Sequence, residues 1–208
     1  MKPEEIESTS FDIIDREAGK HDFNGPQWSI VRRMIHTTAD FEFMDIVRFH
    51  PGAIAAGIEA IRNGKIIITD TNMARVGIRT RDLAPFGARV KCYMNEPMIH
   101  ERAKSNGSTR AKVAVDMALS DMKDGIYVVG NAPTALLRLI ELINEGQARP
   151  ALIIGLPVGF VNAAESKAAL MELDYPYISN LGRKGGSNLA ASVVNALIIL
   201  AGEKQRTS

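Results

Sequence analysis

A single cysteine, Cys92, stands among the 208 residues, so no internal disulfide can form. In the run Arg89–Tyr93 that thiol reads as a small buried apolar residue. Excess charge is lacking too. Lys+Arg 25 against Asp+Glu 24 leaves a formal +1, where a general nucleic-acid binder carries a stronger basic bias. No apolar run approaches the roughly 18 residues that span a bilayer. The N-terminal residues are polar and acidic, unlike a secretory signal. A cytoplasmic protein is the expectation. Cysteine and histidine never fall at metal-ligand spacing, so no metal is expected. There is no G-x-S-x-G elbow and no obvious Ser-His-Asp set. Internal repeats and low-complexity segments are missing as well. These gaps disfavour hydrolysis and redox work, and leave a reaction that needs one proton donor and a shaped pocket.

What is present is a globular composition, 46% hydrophobic, in a chain long enough for one substantial core. One domain over 1–208 is expected, with residues 1–24 as an N-terminal arm. That arm is polar apart from Phe11, Ile13 and Ile14. It reads either as a surface segment or as a cover folded over a site.

Asn24-Gly25-Pro26 is a helix start, and Trp28, Val31 and Ile35 then form one stripe. Arg33 and His36 share another face of that helix, which Thr37, Thr38 and Asp40 end. A histidine at a helix C-terminus is favoured as imidazolium, which suits a proton donor; it equally suits a cap on the last carbonyls. Five strand candidates follow: Lys65–Thr69, Arg89–Tyr93, Ile126–Val129, Ala151–Ile154 and Tyr175–Ser179. Helical patterns separate them, and a last helix carries Ala190, Val193, Val194, Leu197, Ile198 and Ala201. This alternation predicts one doubly wound, mainly parallel, five-stranded sheet. Right-handed crossovers then bring the strand ends to one edge, where α/β sheets bind ligands.

Those ends are Asp70-Thr71-Asn72, Asn95, Gly130-Asn131, the loop Gly155–Glu165 and Gly182–Ser187. They predict a wide polar rim suited to a large, flat, polar ligand. Glu165, Ser166 and Lys167 place an acid, a hydroxyl and an ammonium together there, as ligand contacts or as a helix cap. Arg75, Arg79 and Arg81 could meet carboxylates or line a solvated helix face. The glycines before Ser187 expose backbone N–H groups to an anion. Their spacing is not that of a Walker or dinucleotide motif.

GNAPTAL (130–136), GLPVGFVNAAESK (155–167) and GRKGGSN (182–188) resemble the signature loops of the precorrin-8X methylmutase family. RRMIH (32–36) resembles its catalytic histidine segment. The resemblance implies a flavodoxin-like fold and a homodimer that binds a tetrapyrrole near the subunit interface. It implies an isomerase of corrin biosynthesis that moves a methyl group from C-11 to C-12. The ring is precorrin-8X or its cobalt form, and no redox cofactor or methyl donor is needed. His36 matches the general acid/base, Arg33 a substrate-contacting position, and Ser10 the arm position that reaches substrate. Arg81, Lys167 and Arg183 would meet ring carboxylates. Thr37, Thr71, Asn131, Glu165, Ser166, Gly186 and Ser187 complete the expected contacts. Two departures stand out. Thr37–Asp40 replace small residues and cysteine, and Lys184 replaces an apolar residue found in some members. A non-catalytic corrinoid or flavin binder and a phosphate-ligand enzyme remain as alternatives.

Overall fold

Runs such as Ile66–Thr69 and Ile126–Val129 are β-branched or aromatic almost throughout, which suits strands covered on both faces. The computed structural model describes residues 3–203, with side chains from residue 5. Its strands are β1 (Val47–Phe49), β2 (Ile66–Thr69), β3 (Arg89–Lys91), β4 (Ile126–Val129), β5 (Leu152–Gly155) and β6 (Tyr177–Asn180). They form one sheet in the order β1-β6-β5-β4-β2-β3. All neighbours from β6 to β3 are parallel, and β1 alone runs antiparallel, with Val47 opposite Asn180 and Phe49 opposite Ile178.

The sheet therefore has six strands, not the five expected. The addition is a three-residue strand, VRF, too short to show a period of its own. Its pairing is set by β6, far away in the sequence.

Alternate strand residues enter two different cores. Ile67, Ile126, Val128, Leu152, Ile154 and Ile178 pack under the Gly25–Thr38, Ala53–Arg62 and Ser187–Glu203 helices. Ile68, Tyr127, Val129 and Ile153 pack under the Arg110–Met117, Pro133–Asn144 and Ala163–Met171 helices. This period-two division is what a sheet buried on both faces requires.

Helix ends follow local chemistry. Asn24 accepts the Gln27 N–H, and the Gln27 side chain accepts the Asn24 N–H, a complete capping box. Thr71 and Thr109 cap the Asn72–Gly77 and Arg110–Met117 helices more simply, their hydroxyls accepting the Ala74 and Lys112 N–H groups. The arm is itself a 16-residue helix, Pro3–Ala18. It lies against the Gly25–Thr38 helix through Ile14 and Phe11. A further helix, Pro97–Ser105, starts on its proline.

Candidate functional site

Strand order reverses beside β2, and Asp70 fills the gap that this leaves. The residue is buried, and its carboxylate accepts the N–H groups of Gly130 (2.9 Å), Asn131 (2.8 Å) and Ala132 (2.7 Å). Burial pushes this carboxyl up, and the three N–H bonds pull it back. The ends of β2 and β4 are thus joined by one side chain. Gly130 leaves room for the last helix, since a Cβ there would lie 2.7 Å from the Ser187 Cα. Thr71 and Ser187 close the seam, hydroxyl to hydroxyl at 2.8 Å.

The loop after β6 is anchored from below. Lys167 is fully buried, and its ammonium donates to the Lys184 carbonyl (2.6 Å) and to Asn180 Oδ1 (3.3 Å). Asn180 Nδ2 donates to the carbonyls of Leu181 (2.8 Å) and Lys184 (3.0 Å). No carboxylate pairs with Lys167 among the described residues, and burial draws its pKa from 10.5 down to about 8.

The Gly25–Thr38 helix brings His36 to the same end of the sheet. Ala39 closes it in the left-handed region (φ 53°), with its N–H on the Ile35 carbonyl. His36 lies exposed in the last turn. The next residues are tied to the rim loop, because Lys184 Nζ bonds Asp40 Oδ2 and, at 2.7 Å, Glu42 Oε2. The two carboxylates hold this ammonium above its ordinary range, and Lys184 holds Asp40 below its own.

The arm helix covers the other side. The Phe11 ring lies 5.1 Å from the His36 ring, with the Arg32 and Arg33 guanidinium groups at 4.5 and 5.2 Å. Glu7 Oε1 reaches Arg33 Nη2 at 3.0 Å and Arg79 Nη2 at 3.6 Å, and the Arg33 side chain is only 11% exposed. Asp15 bonds Arg32 (2.7 Å) and the Trp28 indole N–H (2.8 Å). The arm helix thus packs on the Gly25–Thr38 helix beside His36 and Arg33.

The remaining expected contacts divide. Ser10 lies partly exposed on the arm helix; Asn131 lies exposed just past β4, and Glu165 lies exposed in the first turn of the Ala163–Met171 helix. Thr37 bonds the Arg33 carbonyl at 2.9 Å. Arg183 is exposed, with its guanidinium 5.5 Å from the Phe160 ring. The Gly186 N–H is committed to the Leu156 carbonyl at 2.9 Å. Three residues differ from expectation. Lys167 is enclosed beneath the loop instead of reaching outward. Ser166 is buried with its hydroxyl on the Ala163 carbonyl. Arg81 faces a groove with Ile198, Ile199 and Glu203, at the far end of the last helix from Ser187. An apolar run continuing past a helix's first turn buries that turn, and residue type alone does not reveal it.

Glu7 and Phe11, which contact Arg33 and His36, were not among the expected site residues. The signal was present, since Glu7, Phe11, Ile14 and Ala18 fall on one helical face. A groove of about 420 Å³ lies beside the rim, lined by Asn72, Arg75, Lys91, Cys92, Tyr93 and Glu96. A groove of about 640 Å³ at the opposite edge, lined by Ile54, Ile58, Arg62 and Leu200, is far from the imidazole. Among the described residues no His/Cys/Asp/Glu group could hold a metal, and no helix is long and apolar enough to cross a membrane.

An imidazole, arginines and glycine-rich loops stand at the carboxyl edge of a single mixed α/β sheet, the arrangement of a candidate enzyme active site. The chain belongs to the precorrin-8X methylmutase family, whose profile matches residues 5–200. It is 47% identical over 201 residues to a cobalt-precorrin-8 methylmutase of Priestia megaterium, covering 97% of this chain and 89% of that one. It is 40% identical over 190 residues to a precorrin-8X methylmutase of Pseudomonas aeruginosa, covering 90% and 91%. The crystal structure of a precorrin-8x methyl mutase from Thermus thermophilus superposes with a TM-score of 0.91 at 47% identity, covering 97% of both chains.

Proposed function

We propose that this chain carries out the family's isomerisation, moving the C-11 methyl group of precorrin-8 to C-12. His36 is the proton donor and acceptor. The observation that carries this reading is the setting of His36: exposed in the last turn of its helix, beside the Phe11 ring, with the residues just after that helix, Asp40 and Glu42, tied to the rim loop by Lys184. Protonating the macrocycle spreads positive charge over its π-system, and a preorganised polar site stabilises that charge without reorganising. Methyl migration within one ring needs neither a methyl donor nor a net change of oxidation state. Arg33, Arg183, Ser10, Thr71, Asn131, Glu165 and Ser187 are the groups we assign to the substrate's polar edge.

Two coarser features extend this reading. Counted alone, β2, β3, β4, β5 and β6 stand in the order 2-1-3-4-5, so we read the fold as flavodoxin-like with an added edge strand. Phe160 and Val161, 84% and 76% exposed beside Arg183, support a homodimer whose second copy covers the rim. We keep a cytoplasmic location as part of the proposal.

The test is turnover of precorrin-8, with and without cobalt, followed by its visible spectrum. Purified protein should convert it, and His36→Ala should abolish conversion while retaining product binding. Normal turnover by the alanine variant would remove His36 from the chemistry. Binding without turnover by the unmodified chain would favour a corrinoid carrier.

A further inference from the structure

Lys167 is a buried cation whose partners among the described residues are all neutral. Its ammonium bonds the Lys184 carbonyl and Asn180, and no carboxylate joins them among the described residues. An enclosed ammonium in that state is costly, so its position in the fold is informative. In a trans peptide the C=O of one residue and the N–H of the next point opposite ways. Lys167 and Asn180 hold the Lys184 carbonyl inward. The Gly185 N–H must then face outward, away from the buried ammonium. It makes no hydrogen bond among the described residues, whereas the neighbouring Gly186 N–H is taken by Leu156. Gly185 is also pressed from behind, because a Cβ there would lie 2.3 Å from the Leu156 carbonyl oxygen. The donor can neither turn inward nor retreat.

Resting on the isomerase reading, we propose that Lys167 is a positioning residue. It aims the free Gly185 amide at a peripheral carboxylate of the macrocycle, and its own charge, left unbalanced inside the protein, is balanced by that carboxylate. The ammonium does not touch the substrate. It acts through the peptide plane and through its field, which a low-dielectric interior screens poorly. The donor for the ring's carboxylate at this loop is thus Gly185, not Gly186.

Lys167→Met keeps an unbranched side chain, one atom shorter, and removes the charge and its hydrogen bonds. Measured with hydrogenobyrinate as the probe, its Kd should rise about tenfold to a hundredfold, the scale of a lost charge-assisted bond. KM should rise in parallel, with kcat at saturation within a few-fold of the unmodified enzyme. A general loosening of the fold would lower kcat too. The second arm needs no variant: in ¹⁵N-labelled unmodified protein the assigned Gly185 amide proton should move downfield as product is added. An unmoved Gly185 resonance in product-saturated protein overturns the proposal, as does a folded Lys167→Met protein with unchanged Kd. If the variant does not fold, the Gly185 resonance decides. An unmodified chain that neither converts precorrin-8 nor binds the product would remove the isomerase reading itself, and this inference with it. Conversion by the unmodified chain alongside either overturning result would leave that reading standing.

Discussion

The Phe11 ring lies 5.1 Å from the His36 imidazole, tilted by 56° to it, so a residue of the arm helix forms one wall of the imidazole's setting. An imidazole in the last turn of a helix has solvent on most sides. Here one side is closed by the Phe11 ring, which the Arg32 and Arg33 guanidinium groups hold in turn. Phe11→Ala should therefore lower kcat about tenfold to a hundredfold, the scale of a small misplacement of a reacting group, and change product Kd less. Single-turnover kinetics beside calorimetric binding would check it. Equal losses in both would make Phe11 a binding residue only.

Glu7 holds Arg33 and Arg79 with one carboxylate oxygen. A substrate carboxylate meeting Arg33 must compete with it. Glu7→Gln should lower KM several-fold, whereas Arg33→Ala should raise it. Steady-state kinetics on the two variants should thus move KM in opposite directions, and movement in the same direction would deny the competition.

Asp70→Ala would leave the N–H groups of Gly130, Asn131 and Ala132 without their acceptor in a buried position. The expected loss is about 2–4 kcal/mol of unfolding free energy, read from urea denaturation. Asp70→Asn should be little better, because one of its two side-chain positions becomes a donor facing a donor.

Lys167 also predicts a pH dependence of stability. Its folded pKa of about 8 lies below the ordinary 10.5. Between those values the unfolded chain holds the proton and the folded chain has released it, so stability from this group rises with pH across that window. Below about pH 8 both states are protonated, and the cost of burying the charge is fully felt. The contribution is on the order of 3 kcal/mol. Denaturation midpoints compared at pH 7.5 and 10 should show a rise in the unmodified protein relative to Lys167→Met. Parallel profiles would mean that the group titrates outside this range.

Strand and helix existence was legible wherever the pattern was local. The capping box at Asn24, the IIIT and IYVV runs and the terminal apolar helix each state their conformation within a few residues. β1 was not legible, because Val47–Phe49 becomes a strand only by pairing with β6. The site divided the same way. His36 and Arg33 could be placed on one helix from spacing alone. The inward turn of Lys167 depends on carbonyls 13 to 17 residues away. Lys184 appeared in the sequence only as a departure from family habit. Its link to Asp40 and Glu42 spans more than 140 positions, and no window of sequence contains it.

The direction of β1 sets an address. Val47 pairs with Asn180, and the Leu181 N–H bonds the Ile46 carbonyl at 2.8 Å, so the chain steps onto the edge strand where β6 steps off. The chain just upstream of that step, the imidazole included, is delivered to the side of the molecule from which the glycine-rich loop departs. Had three residues run the other way, the same connection would unload at the opposite border of the sheet, roughly 10 Å distant. Imidazole and glycine-rich loop would then be strangers within one subunit.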